Sequence, residues 1–204
     1  LITWGTREAV LKWANPNVTL QDWVKSSHST MYSTAVFNLK TDSLNAKKTT
    51  QELLDFFKGF TFVFQDSSPL FTQISQAESG DTLKISPLAY TLFNHANKIK
   101  ESTQGRITPS VGTLLDLWGL RRGQKPHLPS IAEIKVAKQD MQSKLFSLIS
   151  PNQLIIHKNT RPIFGAFTEG FALDFTRKVL EKNNIQNYLV EIGGDFIWKG
   201  LNPN

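Results

Sequence analysis

The chain reads as an α+β protein, a layered mixed sheet with flanking helices, on three observations. First, "STAVFNLK" (33–40) alternates so that Ala35, Phe37 and Leu39 share one face of a strand. Second, "SPLAYTLFNHANKIKESTQG" (86–105) and residues 167–183 repeat apolar side chains every three or four residues between helix start and stop signals. Third, the two kinds of segment follow one another unevenly, β-α-β-α and later β-α-β, which suits an α+β or layered α/β domain. The 204 residues, 40% hydrophobic and 20% charged, suffice for one large domain or two small ones.

Residues 1–27 contain two helix-like pieces broken at Asn15-Pro16, carrying Trp4, Trp13 and Trp23, and read as an N-terminal helical extension of a domain at 28–204. After the strand at 33–40, Ser43 is a candidate cap for a helix over about 44–58. Leu53, Leu54 and Phe57 give that helix an apolar stripe, and Gly59 stops it. "FTFVF" (60–64) reads as a strand, and 66–80 as loop or short helix. Ser86 caps the helix that runs to about Thr103, with Pro87 at its first position, Gly105 closing it, and Leu88, Leu92, Ala96 and Ile99 on its buried face. Ser130 and Glu133 have the spacing of a capping box. "QLIIHKN" (153–159) reads as a strand. Phe167, Phe171, Phe175 and Val179 stripe the helix at 167–183. "YLVEIGGDFIWKG" (188–200) closes the sequence with two strand-like runs around Gly193-Gly194, a pair suited to a bulge or a turn with positive φ.

Charge and motif content narrow the function classes. The net charge is +6, from basic residues scattered in short groups such as Lys98 with Lys100 and Arg121-Arg122 with Lys125. No basic stripe interleaved with aromatics points to nucleic acid. A general attraction to small anions fits better. Without cysteine there is no disulfide, thiolate nucleophile or zinc–thiolate site. His28, His95, His127 and His157 do not share the spacing of a metal pair and read as surface or helix-face residues. No GxSxG, Walker or GxGxxG motif occurs. No run approaches the ~18–20 apolar residues of a membrane span.

Motif order says more. "QGRITPSVGTLLDLWGL" (104–120) precedes "FGAFTEGFALDFTRKVLEKNNIQNYLVEIGGDFIWKGLNP" (164–203), and "STMYSTAV" (29–36) and "QDSSPLFTQIS" (65–75) come earlier. In this order they resemble the FAD:protein FMN transferase family, the ApbE-like flavin transferases, with a T-fold-related architecture, over about 28–204. The resemblance implies magnesium-dependent cleavage of FAD at its pyrophosphate, with FMN transferred to a Thr of an acceptor protein. It also implies export to the bacterial periplasm and a lipid tether. Such chemistry asks for a divalent cation against the bridging charge, an aromatic wall for a planar ring, and close backbone approach to the nucleotide.

By the same resemblance, Met31 contacts the flavin or is a core residue at a strand end. Phe64 stacks on the ring or packs in the core. Arg106, Ile107 and Thr108 occupy a FAD-contacting triplet whose last residue is ordinarily Asp, and Arg106 meets a phosphate or adenine or is simply exposed. Glu169 contacts FAD or favours a helix start. The Ala166 carbonyl ligates magnesium, a role independent of side chain. Ile163 stands where the family has Asp, the largest departure. Glu191, Gly193-Gly194 and Asp195 fall in a central layer beneath the flavin, or at a strand junction whose acids bind amides or a cation. Family motifs of the "HIxDPRTG" and Asp-Ala-x-x-Thr kinds, which carry the catalytic groups, do not occur in these residues. No catalytic residue is therefore assigned here. The expectation is the flavin-binding part of a longer transferase, inactive by itself, or a non-catalytic relative that binds flavin.

Overall fold

In a computed structural model the described residues are 23–64, 68–120, 123–158 and 162–200. The chain divides into two compact units. The first holds the residues up to Asp55 and from Leu173 onward, and the second Phe56–Ala172. Every described strand pair is antiparallel, which selects α+β over a parallel α/β arrangement.

The first unit is built on a sheet in the order β1-β2-β6-β7, made of Trp23–Thr30, Ser33–Lys40, Tyr188–Ile192 and Asp195–Lys199. β1 occupies 23–30, so the helical reading of 23–27 gives way to a strand. Eight consecutive pairings with β2 satisfy its backbone, and these outweigh local propensity. The rest of the expected extension, 1–22, lies outside the described residues. Met31 and Tyr32 (φ 51° and 59°) form the two-residue turn between β1 and β2. Gly193 and Gly194 (φ 63° and 97°) do the same between β6 and β7. Successive positive φ values match the twist of the strands they join, and glycine adopts them without strain. Ala35, Phe37 and Leu39 of β2 are buried as their alternation requires, beside Tyr188, Val190 and Ile192 of β6. Ala46 and Leu53 of α1 (Ser43–Phe64) belong to the same core, as do Val179 and Leu180 of α6 (Gly165–Lys182).

α1 is longer than its sequence suggests. Asp42, not Ser43, caps it, with the Asn45 amide donating to Asp42 Oδ1 at 2.8 Å. The helix passes through Gly59 to Phe64 and absorbs the strand expected at 60–64. A glycine inside a helix costs only about 1 kcal/mol. Leu53, Phe57, Phe60 and Phe64 form one stripe at helical spacing, and burial of that stripe offsets the cost. Phe60 stacks on Phe171 at 5.6 Å and meets Phe64 at 4.7 Å.

The second unit surrounds a three-stranded sheet in the order β3-β5-β4, from Thr82–Lys84, Gln153–Ile156 and Phe146–Ile149. β5 is shorter than the strand expected over 153–159. The helices α2 (Pro69–Gln76), α3 (Pro87–Ser102), α4 (Gly112–Leu117) and α5 (Ile131–Gln142) complete it. α3 follows its signals: the Ser86 side chain accepts from the Ala89 amide, Pro87 opens the helix and Gly105 (φ 77°) ends it. Its buried face is Ala89, Leu92, Phe93 and Ala96, while Leu88 and Ile99 are half-buried. The box at Ser130 and Glu133 is closed in both directions. Phe164 is buried at the centre of this unit, 4.7 Å from Phe93 and 6.0 to 6.1 Å from Phe64, Phe71 and Phe167.

Candidate functional site

The second unit brings together three segments far apart in sequence. The Thr108 hydroxyl caps a short 3-10 turn at Pro109–Val111 by accepting from the Ser110 amide at 3.1 Å. A hydroxyl oxygen caps this amide as a carboxylate can, but without its charge. The Pro109 carbonyl then accepts from the Ile163 amide at 2.8 Å. That bond ties 106–110 to the start of α6. Phe164, the next residue, meets Phe64 at 6.0 Å, so the end of α1 joins the group.

Of the residues named from the sequence, Phe64, Arg106, Ile107, Thr108, Ala166 and Glu169 thus belong to one unit, and Met31 to the turn of the other. Thr108 is buried, Ile107 is 43% exposed and Arg106 is exposed. Phe64 is half-buried against other aromatics and ends a helix instead of lying in a strand. Ala166 is exposed in the first turn of α6. Glu169 lies beyond that turn and does not cap the helix. Its Oε2 accepts from the Thr168 hydroxyl at 2.7 Å. Glu191 and Asp195 are exposed on the sheet of the first unit, so neither is a buried acid holding amides or a cation. The strand period turns Glu191 to the side opposite Val190 and Ile192.

Magnesium prefers near-octahedral oxygen ligation with one or two carboxylates. Among the described residues no group of three or more His, Asp or Glu side chains could hold a metal. The Ala166 carbonyl lies at a helix N-terminus, where the local field disfavours a cation. The described residues therefore do not compose a magnesium shell.

Sequence reasoning missed a second feature. An open cleft of about 1130 Å³ in the same unit begins at Arg106 and Ser110 and runs between α3, α5 and β4. Lys98, Lys100, Arg106, Lys138 and Lys144 line it, against one carboxylate, Glu101. None of these five cations has an ion-pair partner among the described residues. Lys100 is partly buried, and desolvation holds its ammonium below the ordinary lysine range. Ser110 is 1% exposed, and its hydroxyl has no hydrogen-bond partner among the described residues. On β4, Ser147 Oγ lies 2.6 Å from His157 Nε2. Only the pairing of Lys98 with Lys100 is visible in the sequence. Lys138 and Lys144 reach the cleft through the placement of α5 and its C-terminal turn.

The fold is an antiparallel α+β fold that brings together segments whose order resembles the flavin-transferase family. Comparison with known proteins makes this particular. The model of the ApbE family matches residues 27–204, and the chain belongs to that family. A FAD:protein FMN transferase of Buchnera aphidicola is 31% identical over 163 residues, covering 78% of this chain and 48% of the relative. That of Escherichia coli K12 is 24% identical over 165 residues, covering 78% and 47%. The chain spans about half the length of these relatives. The solved flavin transferase ApbE from Vibrio cholerae superposes with a TM-score of 0.74 at 22% identity, over 90% of this chain and 61% of that one. The apo flavinyl transferase ApbE of Pseudomonas stutzeri gives 0.75 at 18%, over 90% and 63%. These two likenesses are likenesses of fold.

Proposed function

We propose that this chain is the flavin-nucleotide-binding part of a FAD:protein FMN transferase. The observation that carries the proposal is the joining of 106–110, 163–169 and Phe64 by the Ile163–Pro109 hydrogen bond and the Phe64–Phe164 ring contact. In the proposed reaction a Thr hydroxyl of the acceptor protein attacks the phosphorus on the FMN side of the pyrophosphate. A new O–P bond forms, the bridging P–O bond breaks, AMP leaves with the bridging oxygen, and the hydroxyl proton passes to a base. Arg106 offers charge to the phosphates, the 107–110 backbone approaches the nucleotide, and the aromatic group of Phe64 and Phe164 backs the planar ring. Magnesium dependence is part of the proposal. It rests on the family resemblance, because the described residues, the Ala166 carbonyl among them, do not compose a shell for the ion.

Titration of the chain with FAD, followed by flavin fluorescence, tests the reading. Binding in the micromolar range is expected, weakened by Arg106→Ala. No binding at ~1 mM, about −4 kcal/mol, sinks it. A second reading, a non-catalytic flavin-binding relative, rests on Ile163, whose side chain brings no charge where the family carries Asp. It predicts FAD binding without covalent flavin on an acceptor protein. In-gel fluorescence, with and without chelation of magnesium, separates the two in a protein of the relatives' full length. Export to the periplasm with a lipid tether rests on the resemblance alone and is checked by fractionating cells of the native host.

A further inference from the structure

We propose that the basic cleft beside β4 docks an extended acidic segment of a protein partner, which adds as a strand to the free edge of β4. The partner is the acceptor protein if the transferase reading above holds, and in that respect the inference rests on it.

The argument begins with charge. Five cations and one carboxylate line the cleft, and none of the cations forms an ion pair among the described residues. Lys100 is the most telling. Its ammonium is partly desolvated without a compensating anion, an arrangement that favours an incoming carboxylate. Ser110 adds a second observation. A hydroxyl in a residue 1% exposed, lining the cleft without a partner among the described residues, is a donor left for something the cleft receives.

Shape and backbone distinguish a peptide from a small anion. The cleft, at about 1130 Å³, is larger than a phosphate group needs and suits several residues of extended chain. Phe146, Ser147 and Leu148 form one wall of it. These are residues of β4, which pairs with β5 on one side and with no described strand on the other. Alternate residues of such an edge point amides and carbonyls away from their partner strand, a template for main-chain pairing. A docked strand would place alternate side chains toward the lysines of α3 and α5. The cleft opens at Arg106, beside the segment assigned to the nucleotide, which is where an acceptor hydroxyl must arrive.

The test uses this chain and a fluorescein-labelled octapeptide of alternating Glu and Val. Anisotropy should show saturable binding. A peptide with Gln for Glu should bind roughly tenfold or more weakly, and the triple variant Lys98→Gln, Lys138→Gln, Lys144→Gln should lose a similar factor. Those three lysines carry no role assigned in FAD binding, so FAD titration of the same variant should be unchanged, which also shows that it folds. Amide exchange should slow within 146–149 when the peptide is bound. No binding of the Glu peptide up to ~1 mM overturns the proposal. Displacement by tripolyphosphate, with no protection of β4, also overturns it and assigns the cleft to small polyanions. Failure of FAD to bind while the peptide protects β4 supports the docking edge and sinks the transferase reading separately.

Discussion

The two units bury their cores by different means. In the first, regular backbone ladders do the organising: β1, β2, β6 and β7 pair residue by residue, and alternation decides which side chains are inside. Its opposite face is left open, with Phe196 57% and Trp198 68% exposed. In the second, a cluster of rings around Phe164 holds helix ends, loops and a short sheet together. A ladder tolerates side-chain change as long as register survives. A ring cluster depends on shape, because each ring is packed against several others.

The largest test of this contrast is Phe164→Ala, expected to cost about 3–5 kcal/mol in urea unfolding, as for other buried aromatic truncations. Trp198→Ala, on the open face of the first unit, should stay within about 0.5 kcal/mol. Equal losses would abolish the distinction. Two glycines extend it at smaller scale. Gly119 has φ +63°, and an added Cβ would run into the backbone carbonyl of Lys125. Gly194 has φ +97° with open space around it. Gly119→Ala should therefore cost about 2–3 kcal/mol and Gly194→Ala about 1 kcal/mol, the strain of positive φ alone. Similar melting temperatures for the two variants would refute the close approach.

The caps give an intermediate effect. Ser130→Ala in the second unit and Asp42→Ala in the first should each lose about 1 kcal/mol, since each side chain holds an otherwise orphaned helix amide. The smallest effect is electrostatic. Glu52 in the first unit accepts from Lys182 at 3.0 Å and from Asn183 at 3.1 Å. The Lys182 hydrogen bond first, then that of Asn183, lower its pKa from 4.5. A carboxyl whose folded pKa is depressed stabilises the fold above its unfolded pKa. That contribution fades as pH falls from about 4.5 through the lower folded value. The pair is partly exposed, so the effect should be under ~1 kcal/mol. Glu52→Gln should flatten the stability curve as pH falls below about 4.5, and an unchanged acid limb would remove Glu52 from the account.

What the sequence could determine was local or ordered along the chain. Ser86-Pro87 and the Ser130–Glu133 box announce helix starts because their hydrogen bonds close within four residues. The alternation at 33–40 predicts a strand because one face of it is buried. Motif order pointed to the family, since it survives substitutions that blur any single motif. Local signals misled where distant contacts decided. Gly59 reads as a stop, yet α1 continues because Phe60 and Phe64 find Phe171 and Phe164, far away along the chain. Residues 23–27 read as helix, yet their backbone is satisfied by β2. The site divides in the same way. Arg106, Ile107 and Thr108 are contiguous and were legible together. The hydrogen bond joining Pro109 to Ile163 was not, nor was the convergence of Lys98, Lys100, Lys138 and Lys144 on one cleft. Scattered lysines have no period to read, and only the packing of α3, α5 and β4 turns them into a single field of charge.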